Sequence, residues 1–271
     1  MNIEDIQDII YEKEPNGICI ATLNIPERKN AMSLVTFLEL ITILEDMEAD
    51  KNSRVLIITG KGDAFSSGGF FNLNLLTSIP LNIKDEIDMQ DIAQKKISMK
   101  LWNFPKPIIG AVNGLAVGAG FTMLLIGADL IYASENAWMG FFFSKRGVIA
   151  EFAAHFLLPF YLGFQRAKEL LYFGKSLSAQ EAYELGIVNK VIPHNELLNY
   201  ARQQALKLIP PKGPSFSINL MKKTMHHYFK DILEKTLDLE NEGIRDCFKT
   251  SDFRAALKSL STKKNPKFKG K

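Results

Sequence analysis

The fold of this chain is decided by the stretch Ile108–Ile109–Gly110–Ala111–Val112–Asn113–Gly114–Leu115–Ala116–Val117–Gly118–Ala119–Gly120–Phe121. Its apolar beginning predicts a buried strand, and its glycines predict a turn before an apolar helix over roughly residues 119–127. The first N–H groups of a helix have no acceptor inside the helix, and the helix dipole attracts negative charge there. A strand, a glycine turn and a helix in this order therefore favour a backbone site for an anion.

The glycine spacing separates this turn from two common phosphate-binding motifs. Gly118 and Gly120 are followed by Met123, where a dinucleotide-binding fingerprint has its third glycine, and no Gly-Lys-Ser/Thr run follows for a phosphate loop. Close packing of the helix against the strand is another use of such glycines. On this stretch alone, a binding role and a packing role both remain open.

A second strand and turn lie upstream, in residues 55–70. The run Val55–Leu56–Ile57–Ile58–Thr59–Gly60 predicts a buried strand, and glycines follow at 62, 68 and 69. Two turns of this kind can each direct one backbone N–H at the same oxygen, which is the arrangement of an oxyanion hole. The two turns together therefore favour a binding role for both.

With these two turns, the chain resembles the crotonase (enoyl-CoA hydratase/isomerase) superfamily. The resemblance rests on Gly60-x-Gly62-x-x-Phe65-Ser66-x-Gly68 and on residues 107–120, 128–133, 178–182 and 185–191. It runs through nearly the whole chain, with the segments in the family's order. It implies an α/β fold with a superhelix of ββα turns over residues 1–194. A helical oligomerisation region over residues 195–271 follows, and the resemblance implies a homotrimer or hexamer.

The resemblance also implies an acyl-CoA thioester as the substrate. The two N–H donors of the family's oxyanion hole correspond here to Gly69, after Ser-x-Gly, and to Ala119, within Gly-x-Gly. Coenzyme A is then part of the substrate, so no separate cofactor and no metal are expected. A lysine of the C-terminal helices, Lys222, Lys223 or one of the tail lysines, is expected to meet a phosphate. The residues expected to bind the substrate are Arg28, Lys29, Ala31, Phe65, Ser67, Gly68, Phe70 and Phe143.

The family's chemistries differ in the carboxylates that they place beside the thioester. Hydratases of the family use two glutamates, and the matching positions here hold Thr122 and Phe143. Neither of these side chains exchanges a proton at neutral pH. The resemblance therefore argues against hydration as the reaction.

One carboxylate remains in this region, at Glu151. The run Gly147–Val148–Ile149–Ala150–Glu151–Phe152 resembles the segment of monofunctional Δ3,Δ2-enoyl-CoA isomerases whose glutamate is the base. A single carboxylate suits a 1,3-proton shift, and apolar neighbours raise the pKa of a carboxyl group toward working pH. The alternative is a glutamate in the first turn of a helix, stabilised by the helix dipole. His155 is then expected on the same helical face as Glu151.

Two other classes of function stay open at this point. One is different thioester-enolate chemistry, in a hydratase, hydrolase, dehalogenase or decarboxylase. An aroyl-CoA dehalogenase also needs a histidine on the helix before the central strand, and the residues around Lys95 contain none. The other class is an acyl-CoA-binding protein without catalysis. In each case the phenylalanines at 70, 71 and 141–143 predict an apolar acyl group, if several of them line the pocket.

The composition is typical of a globular protein, with 46% hydrophobic residues, 23% charged residues and a net charge of +3. Five lysines among the last nine residues carry much of the excess, and no basic stripe with interleaved aromatic residues predicts nucleic-acid binding. Two distant cysteines match no metal-binding or redox spacing. Without a bilayer-length apolar run, a leader or a peroxisomal signal, we expect a cytoplasmic protein that binds no membrane.

Several expectations concern segments around the site. Residues 72–85 have no clear periodicity and predict a mobile segment over the site, and residues 86–103 predict a helix. The helical stretch 151–172 contains Pro159, where a break or kink is expected. His226 and His227 are expected at the surface.

Overall fold

The computed structural model of the chain describes residues 1–70, 86–262 and 264–271. The segment 72–85, predicted from the sequence to be mobile over the site, lies outside these residues. Within them, the strands form one six-stranded sheet and one four-stranded sheet. With the helices packed around these sheets, the protein has the α/β fold that the sequence predicted.

From β3 (Val55–Gly60) to β8 (Trp138–Gly140), successive strands alternate between the two sheets. The six-stranded sheet contains, in spatial order, β1 (Ile9–Lys13), β2 (Ile18–Leu23), β3 (Val55–Gly60), β5 (Ile108–Val112), β7 (Leu130–Ser134) and β10 (Lys190–Ile192). The four-stranded sheet contains β4 (Ala64–Ser66), β6 (Leu115–Val117), β8 (Trp138–Gly140) and β9 (Ser176–Ser178). β3–β4, β5–β6 and β7–β8 each contribute one strand to each sheet, which is the predicted ββα repeat. Only the pairs β1–β2 and β8–β9 are antiparallel among the described pairs.

Helices follow the strand pairs and then occupy most of the C-terminal part. The α-helices of the described residues are α1 (Leu34–Ala49), α2 (Lys95–Asn103), α3 (Ala119–Gly127), α4 (Ala154–Leu162), α5 (Phe164–Phe173), α6 (Ala179–Glu184), α7 (Leu197–Leu208), α8 (Ser215–His227), α9 (Lys230–Lys249) and α10 (Ser251–Thr262). Ser33 caps α1 through the Thr36 N–H, and Ser178 forms the predicted capping box with Glu181. No helix in these parts of the chain is long and apolar enough to cross a bilayer.

The central strand and helix form as predicted, and they are the most deeply buried elements of the site's frame. Every residue of β5 and of α3 is buried. A Cβ on Gly110 would lie 3.1 Å from the side chain of Leu124, so this glycine lets the helix pack close to the strand. Close packing of the helix against the strand is therefore one use of the glycines in this stretch.

The helix predicted over 86–103 begins only at Lys95, so the prediction of its first turns was wrong. The Asp91 carboxylate accepts the N–H groups of Lys95 and Lys96 at 2.6 and 2.7 Å, and Gln94 has a left-handed φ of 60°. Asn241 of α9 accepts the N–H of Ala93 at 2.7 Å. Side chains thus take the backbone donors that a longer helix needs, and one of those side chains comes from a distant helix.

The helical stretch predicted over 151–172 is interrupted at Gly163 rather than at Pro159. Pro159 lies inside α4, whereas Gly163, with φ 77° and ψ 158°, separates α4 from α5. The start of the stretch also differs, because Phe152 and Ala153 have left-handed φ values of 61° and 55°. Glu151 consequently precedes α4 and is not part of it.

The C-terminal helices pack on the strands and on the earlier helices. Leu197, Ala201 and Ala205 of α7 are buried against one face of the six-stranded sheet. α9 contacts α2 and α4, and α10 contacts the short helical turn Ser144–Arg146. The division of the chain at residue 194 stays a prediction. Of the helices that follow residue 194, α9 and α10 contribute residues to the cavity described below.

Candidate active site

A cavity of about 370 Å³ lies between the two glycine turns. Its walls come from the loop after β2, the two turns, the segment after β8 and the C-terminal helices. The residues that line it are Arg28, Ala31, Ser67, Gly68, Gly69, Phe70, Ile92, Val117, Gly118, Ala119, Phe142, Phe143, Arg146, Val148, Ile149, Glu151, Ile244, Phe253, Leu257 and Leu260. The lining is mainly apolar, and Glu151 is its one carboxylate among the described residues.

The first turn is held so that the Gly69 N–H points away from its neighbouring strand. Met32 and Gly69 form a parallel bridge, in which the Met32 N–H donates to Gly68 O and the Phe70 N–H donates to Met32 O, both at 2.8 Å. In parallel pairing, the N–H of the bridged residue points to the opposite side. Gly69 therefore offers an N–H that has no acceptor among the described residues.

The second turn offers the N–H of Ala119, the first residue of α3. Gly118, with φ 52°, turns the chain into the helix, and its carbonyl accepts the N–H groups of Phe121 and Thr122 at 2.9 and 3.0 Å. The Ala119 N–H precedes the first internal bond of the helix and finds no acceptor in the described parts of the chain. The helix dipole adds to its attraction for a negative oxygen.

The two turns are in direct contact, so their free N–H groups lie at one site. β4 and β6 pair in parallel through Ala64 and Leu115. A Cβ placed on Gly68 would lie 2.6 Å from Val117 O and 3.7 Å from the Ala119 nitrogen. Gly68 must therefore be glycine for the turns to approach this closely, both because of this contact and because its φ is 98°.

Glu151 lies in the cavity wall, in the short segment between the helical turn Ser144–Arg146 and α4. Burial, together with the negative charge of Glu240, raises the pKa of its carboxyl group to about 8. A carboxyl group with such a pKa is suited to accept and return a proton near neutral pH. Within the described residues, no group of three or more His, Cys, Asp or Glu side chains could hold a metal ion.

His155 does not share a helical face with Glu151, so this prediction was wrong. Glu151 precedes α4, and the imidazole Nδ1 of His155 lies 2.7 Å from Oε1 of Glu240. The side chain of His155 is also 38% exposed, whereas that of Glu240 is 2% exposed. His155 therefore meets the buried carboxylate of α9.

The two positions that hold glutamates in the family's hydratases carry no proton-exchanging group here. The Thr122 hydroxyl is buried and donates to Gly118 O at 3.2 Å. Phe143 lines the cavity, with ring carbons 3.7 Å from the position of a Cβ on Gly118. The wall beside the second turn is therefore apolar.

Most residues predicted to bind substrate line the cavity, but two do not. Phe65 is fully buried in the core, and Lys29 is exposed with its side chain outside the lining. Phe65 belongs to β4, whose pairing with β6 places its side chain in the core. The six predicted residues that do line the cavity are Arg28, Ala31, Ser67, Gly68, Phe70 and Phe143.

The loop that carries Arg28 is bound to the first turn along its length. Ser67 donates its N–H to Lys29 O and its hydroxyl to Arg28 O, at 2.9 and 3.1 Å. The Arg28 guanidinium lies 4.6 Å from the ring centre of Phe70 and 3.2 Å from the Asp8 carboxylate. This loop and the first turn therefore form one continuous wall, with a cation at its edge.

Lys222, one of the lysines predicted to meet a phosphate, forms an ion pair with Asp129 instead. It is 4% exposed, and its ammonium group donates to Asp129 at 2.8 Å and to Lys106 O at 3.0 Å. The prediction for this lysine was wrong, because it forms a buried ion pair. Lys223 is exposed and lies outside the cavity lining.

His226 was also placed wrongly at the surface. Its ring stacks on Trp102 with 3.9 Å between ring centres, and its Nδ1 lies 2.8 Å from Trp102 O. His227 is exposed, as expected. The difference arises because α8 presents only one side to α2.

Several cavity residues were missed by the sequence analysis. Arg146 lies near the turn after β8, and Ile244, Phe253 and Leu257 belong to the C-terminal helices. The apolar periodicity of those helices predicts burial but does not say against what. The tertiary contacts of α9 with α2 and α4, and of α10 with the turn Ser144–Arg146, bring these side chains to the site.

The comparisons with known proteins agree with this geometry. The family model for enoyl-CoA hydratase/isomerase matches residues 13–271. The 1,2-epoxyphenylacetyl-CoA isomerase of Escherichia coli is 32% identical over 267 residues, covering 98% of this chain and 100% of that protein. A putative enoyl-CoA hydratase of Thermus thermophilus is 29% identical over 270 residues, covering 96% of this chain and 100% of that protein.

A solved structure has the same fold over nearly its full length. The enoyl-CoA hydratase/isomerase from Pseudoalteromonas atlantica aligns with a TM-score of 0.83 and 25% identity, covering 97% of this chain and 100% of that one. The alignment covers 97% of this chain and so supports the fold described above. The chain belongs to the enoyl-CoA hydratase/isomerase family.

Proposed function

We propose that this protein is a Δ3,Δ2-enoyl-CoA isomerase in which Glu151 is the single acid–base group. The observation that carries the proposal is that, among the described residues, one carboxylate and two backbone N–H groups without an acceptor surround one apolar cavity. The two N–H groups, of Gly69 and Ala119, suit the thioester oxygen of an acyl-CoA. The carboxylate suits a proton that moves along the acyl chain.

The reaction needs a proton to leave C2 and a proton to arrive at C4. The Glu151 carboxylate takes the C2 proton, and the electron pair moves into the thioester to give a dienolate. The dienolate oxygen accepts hydrogen bonds from Gly69 and Ala119, which stabilise the charge as it develops. The protonated Glu151 then donates to C4, so the carbanion is quenched, the double bond lies between C2 and C3, and Glu151 is a carboxylate again. This sequence takes no separate cofactor or metal.

Hydration is disfavoured by the side chains at the family's other carboxylate positions. Adding water across a double bond requires one group that removes a proton from the water and a second group that donates a proton to the carbon. Thr122 uses its hydroxyl on Gly118 O, and Phe143 is a hydrocarbon. One carboxylate that both removes and returns the proton is sufficient for isomerisation alone.

The acyl group that fits the cavity is apolar. Phe70, Phe142 and Phe143 all line it, together with Phe253 from the C-terminal helices. Phe141, which the sequence analysis grouped with them, instead packs in the core against Phe121. An aliphatic chain suits this lining, and so does an aromatic acyl group like the one named in the E. coli relative. Assays with both acyl classes separate these two.

The test is the product formed from a 3-enoyl-CoA. We expect the conjugated 2-enoyl-CoA to accumulate without 3-hydroxyacyl-CoA, and we expect deuterium to enter at C2 in deuterated water. Formation of 3-hydroxyacyl-CoA as the main product would overturn the proposal in favour of hydration. Acyl-CoA binding without deuterium exchange would show a binding protein instead.

The rate should rise with pH, because the base must be ionised to accept a proton. Burial and Glu240 raise the pKa of Glu151 to about 8, so most of the free enzyme is protonated there at neutral pH. We expect kcat/KM to rise about tenfold per pH unit below that value and to level above it, since kcat/KM reports groups of the free enzyme. A profile that stays flat from about pH 6 to 9 would contradict this assignment.

We further propose that the chain forms a trimer or hexamer through its C-terminal helices. Large apolar side chains on α8 are exposed in the single chain, with Phe216 at 78% and Met225 at 63%. Large apolar side chains that are exposed on one helix support an interface there. Light scattering coupled to size exclusion is expected to give a mass of three or six chains, and a monomer at micromolar concentration would overturn this.

A further inference from the structure

Glu240 of α9 is a deeply buried carboxylate at the beginning of α4. Its Oε2 accepts the N–H of Ala153 at 2.8 Å, and its Oε1 accepts the N–H of His155 at 3.2 Å. Oε1 also lies 2.7 Å from Nδ1 of His155, so that nitrogen carries the hydrogen, because a carboxylate can only accept. These N–H groups belong to the first turn of a helix, which attracts negative charge.

The backbone that Glu240 holds is the backbone that follows Glu151. Phe152 and Ala153 have φ values of 61° and 55°, a region that non-glycine residues occupy only when the surroundings impose it. Ala153 donates its N–H to Glu240, two residues from the proposed base. Glu240 therefore supports a strained connection between Glu151 and α4.

The next residue of α9, Asn241, holds the other side of the same segment. Its carbonyl oxygen accepts the N–H of Ala93 at 2.7 Å, and Ala93 O in turn accepts the N–H of Phe152 at 3.4 Å. Two neighbouring side chains of one helix thus act on the residues that follow Glu151, one directly and one through Ala93. Nothing in the isomerisation steps above uses either side chain.

We propose that Glu240 is a positioning residue of this active site, whose carboxylate holds the segment that carries Glu151 and whose negative charge opposes the charge of Glu151. The proposal rests on the function proposed above, in which Glu151 is the base. The pKa of Glu151 supports it, because the Glu240 charge raises that pKa in addition to burial. A carboxylate whose acid form has a raised pKa is a stronger base once it is ionised.

Several charged groups on the elements around Glu240 and Glu151 have partners of their own. His155 is the partner of Glu240 from α4, and Asp238 of α9 pairs with Lys95 of α2 at 2.7 Å. Asp91 accepts N–H groups of α2 and of Asn241. Arg28 and Arg146 are the cations of the cavity lining among the described residues. The negative charge of Glu240 raises the pKa of Glu151, so its removal is the direct test.

The test is the titration of Glu151 in Glu240→Gln, which keeps an oxygen acceptor but removes the charge. Infrared difference spectroscopy reads the protonated carboxyl band of Glu151, identified by its loss in Glu151→Gln. We expect its apparent pKa to fall by about one unit in Glu240→Gln. Relative to its own plateau, kcat/KM at pH 6 should then rise about tenfold, because one pKa unit is a factor of ten in the ionised fraction. Glu242→Gln, an exposed neighbour on α9, is the matched control and should leave both values unchanged.

A second variant tests whether Glu240 positions Glu151, and this test does not depend on whether Glu240→Gln folds stably. Glu240→Asp keeps the charge but shortens the reach by one methylene. We expect it to leave the apparent pKa of Glu151 near the wild-type value and to lower kcat by about tenfold to a hundredfold, because the base is displaced. An unchanged Glu151 titration in Glu240→Gln, or wild-type kcat in Glu240→Asp, would overturn the proposal.

The infrared measurement needs no turnover, so it separates this proposal from the proposed function. If wild-type protein isomerises no 3-enoyl-CoA, the function is wrong, while the titration still shows whether Glu240 acts on Glu151. If the wild type isomerises 3-enoyl-CoA and the titration is unaffected by Glu240→Gln, the function stands and the role of Glu240 is wrong.

Discussion

Glu151→Gln is expected to lower kcat for 3-enoyl-CoA isomerisation by about 10²–10⁴, with KM changed little. Glutamine has nearly the same shape, but its neutral amide cannot accept the C2 proton. The cavity lining and the two N–H groups of the oxyanion hole remain in place, so substrate binding is retained. Steady-state kinetics with a 3-enoyl-CoA, followed by absorbance of the conjugated product, measures both parameters.

The matched control for this variant is Glu12→Gln, which makes the same chemical change at an exposed position of β1. It should keep wild-type kcat and KM. Deuterium exchange at C2 should be lost in Glu151→Gln together with turnover, because both need the same proton transfer. Turnover of Glu151→Gln equal to that of the wild type would remove Glu151 from the mechanism. Incorporation of heavy oxygen from solvent into Glu151 after one turnover would show a nucleophile instead of a base.

Gly68→Ala is expected to lower kcat by about 10²–10³ by separating the two oxyanion-hole donors. The new Cβ would lie 2.6 Å from Val117 O, which is closer than such atoms approach each other. The first turn must therefore move away from residues 117–119, and the N–H of Gly69 moves with it relative to that of Ala119. The two N–H groups then no longer donate to the same oxygen. This loss destabilises the dienolate more than the bound substrate, so kcat falls.

Gly62→Ala separates this steric effect from backbone strain. Gly62 has a φ of 78°, so alanine there meets a similar conformational penalty, but the atom nearest to its Cβ is Pro26 Cβ at 3.8 Å. We expect Gly62→Ala to lose some stability in thermal unfolding while it keeps kcat within about twofold. If Gly68→Ala, still folded, kept wild-type kcat, the contact between the turns would have no role in catalysis.

Local sequence features predicted the frame of the site well. The apolar run and the glycines of residues 108–121 predicted a buried strand and helix. This succeeded because apolar residue types favour burial and glycine allows a positive φ, and both can be read from the local sequence. Ser33 and Ser178 cap helices for the same reason, because their partners are three residues away. Glu151 is the one carboxylate of the cavity lining among the described residues, although its role remains a proposal.

Contacts between distant segments explain where the predictions were wrong. α2 begins late because Asp91 accepts the N–H groups of its first two residues and Asn241 accepts that of Ala93, and Asn241 is about 150 residues away. Lys222 forms a buried ion pair with Asp129, 93 residues earlier. His155 turns to Glu240, 85 residues later, because Phe152 and Ala153 separate Glu151 from α4. No periodicity or local motif contains information about such partners.

The sequence by itself determined the strand–turn–helix units, the glycines that allow two turns to meet and the family of the chain, because each depends on residue type and short spacing. The tertiary structure alone decided which side chains surround Glu151: α10 closes the cavity, and Glu240 of α9 lies beside the base. Burial and the repulsion between these two carboxylates depend on distance in space, so they exist only once β-sheets and C-terminal helices have packed together.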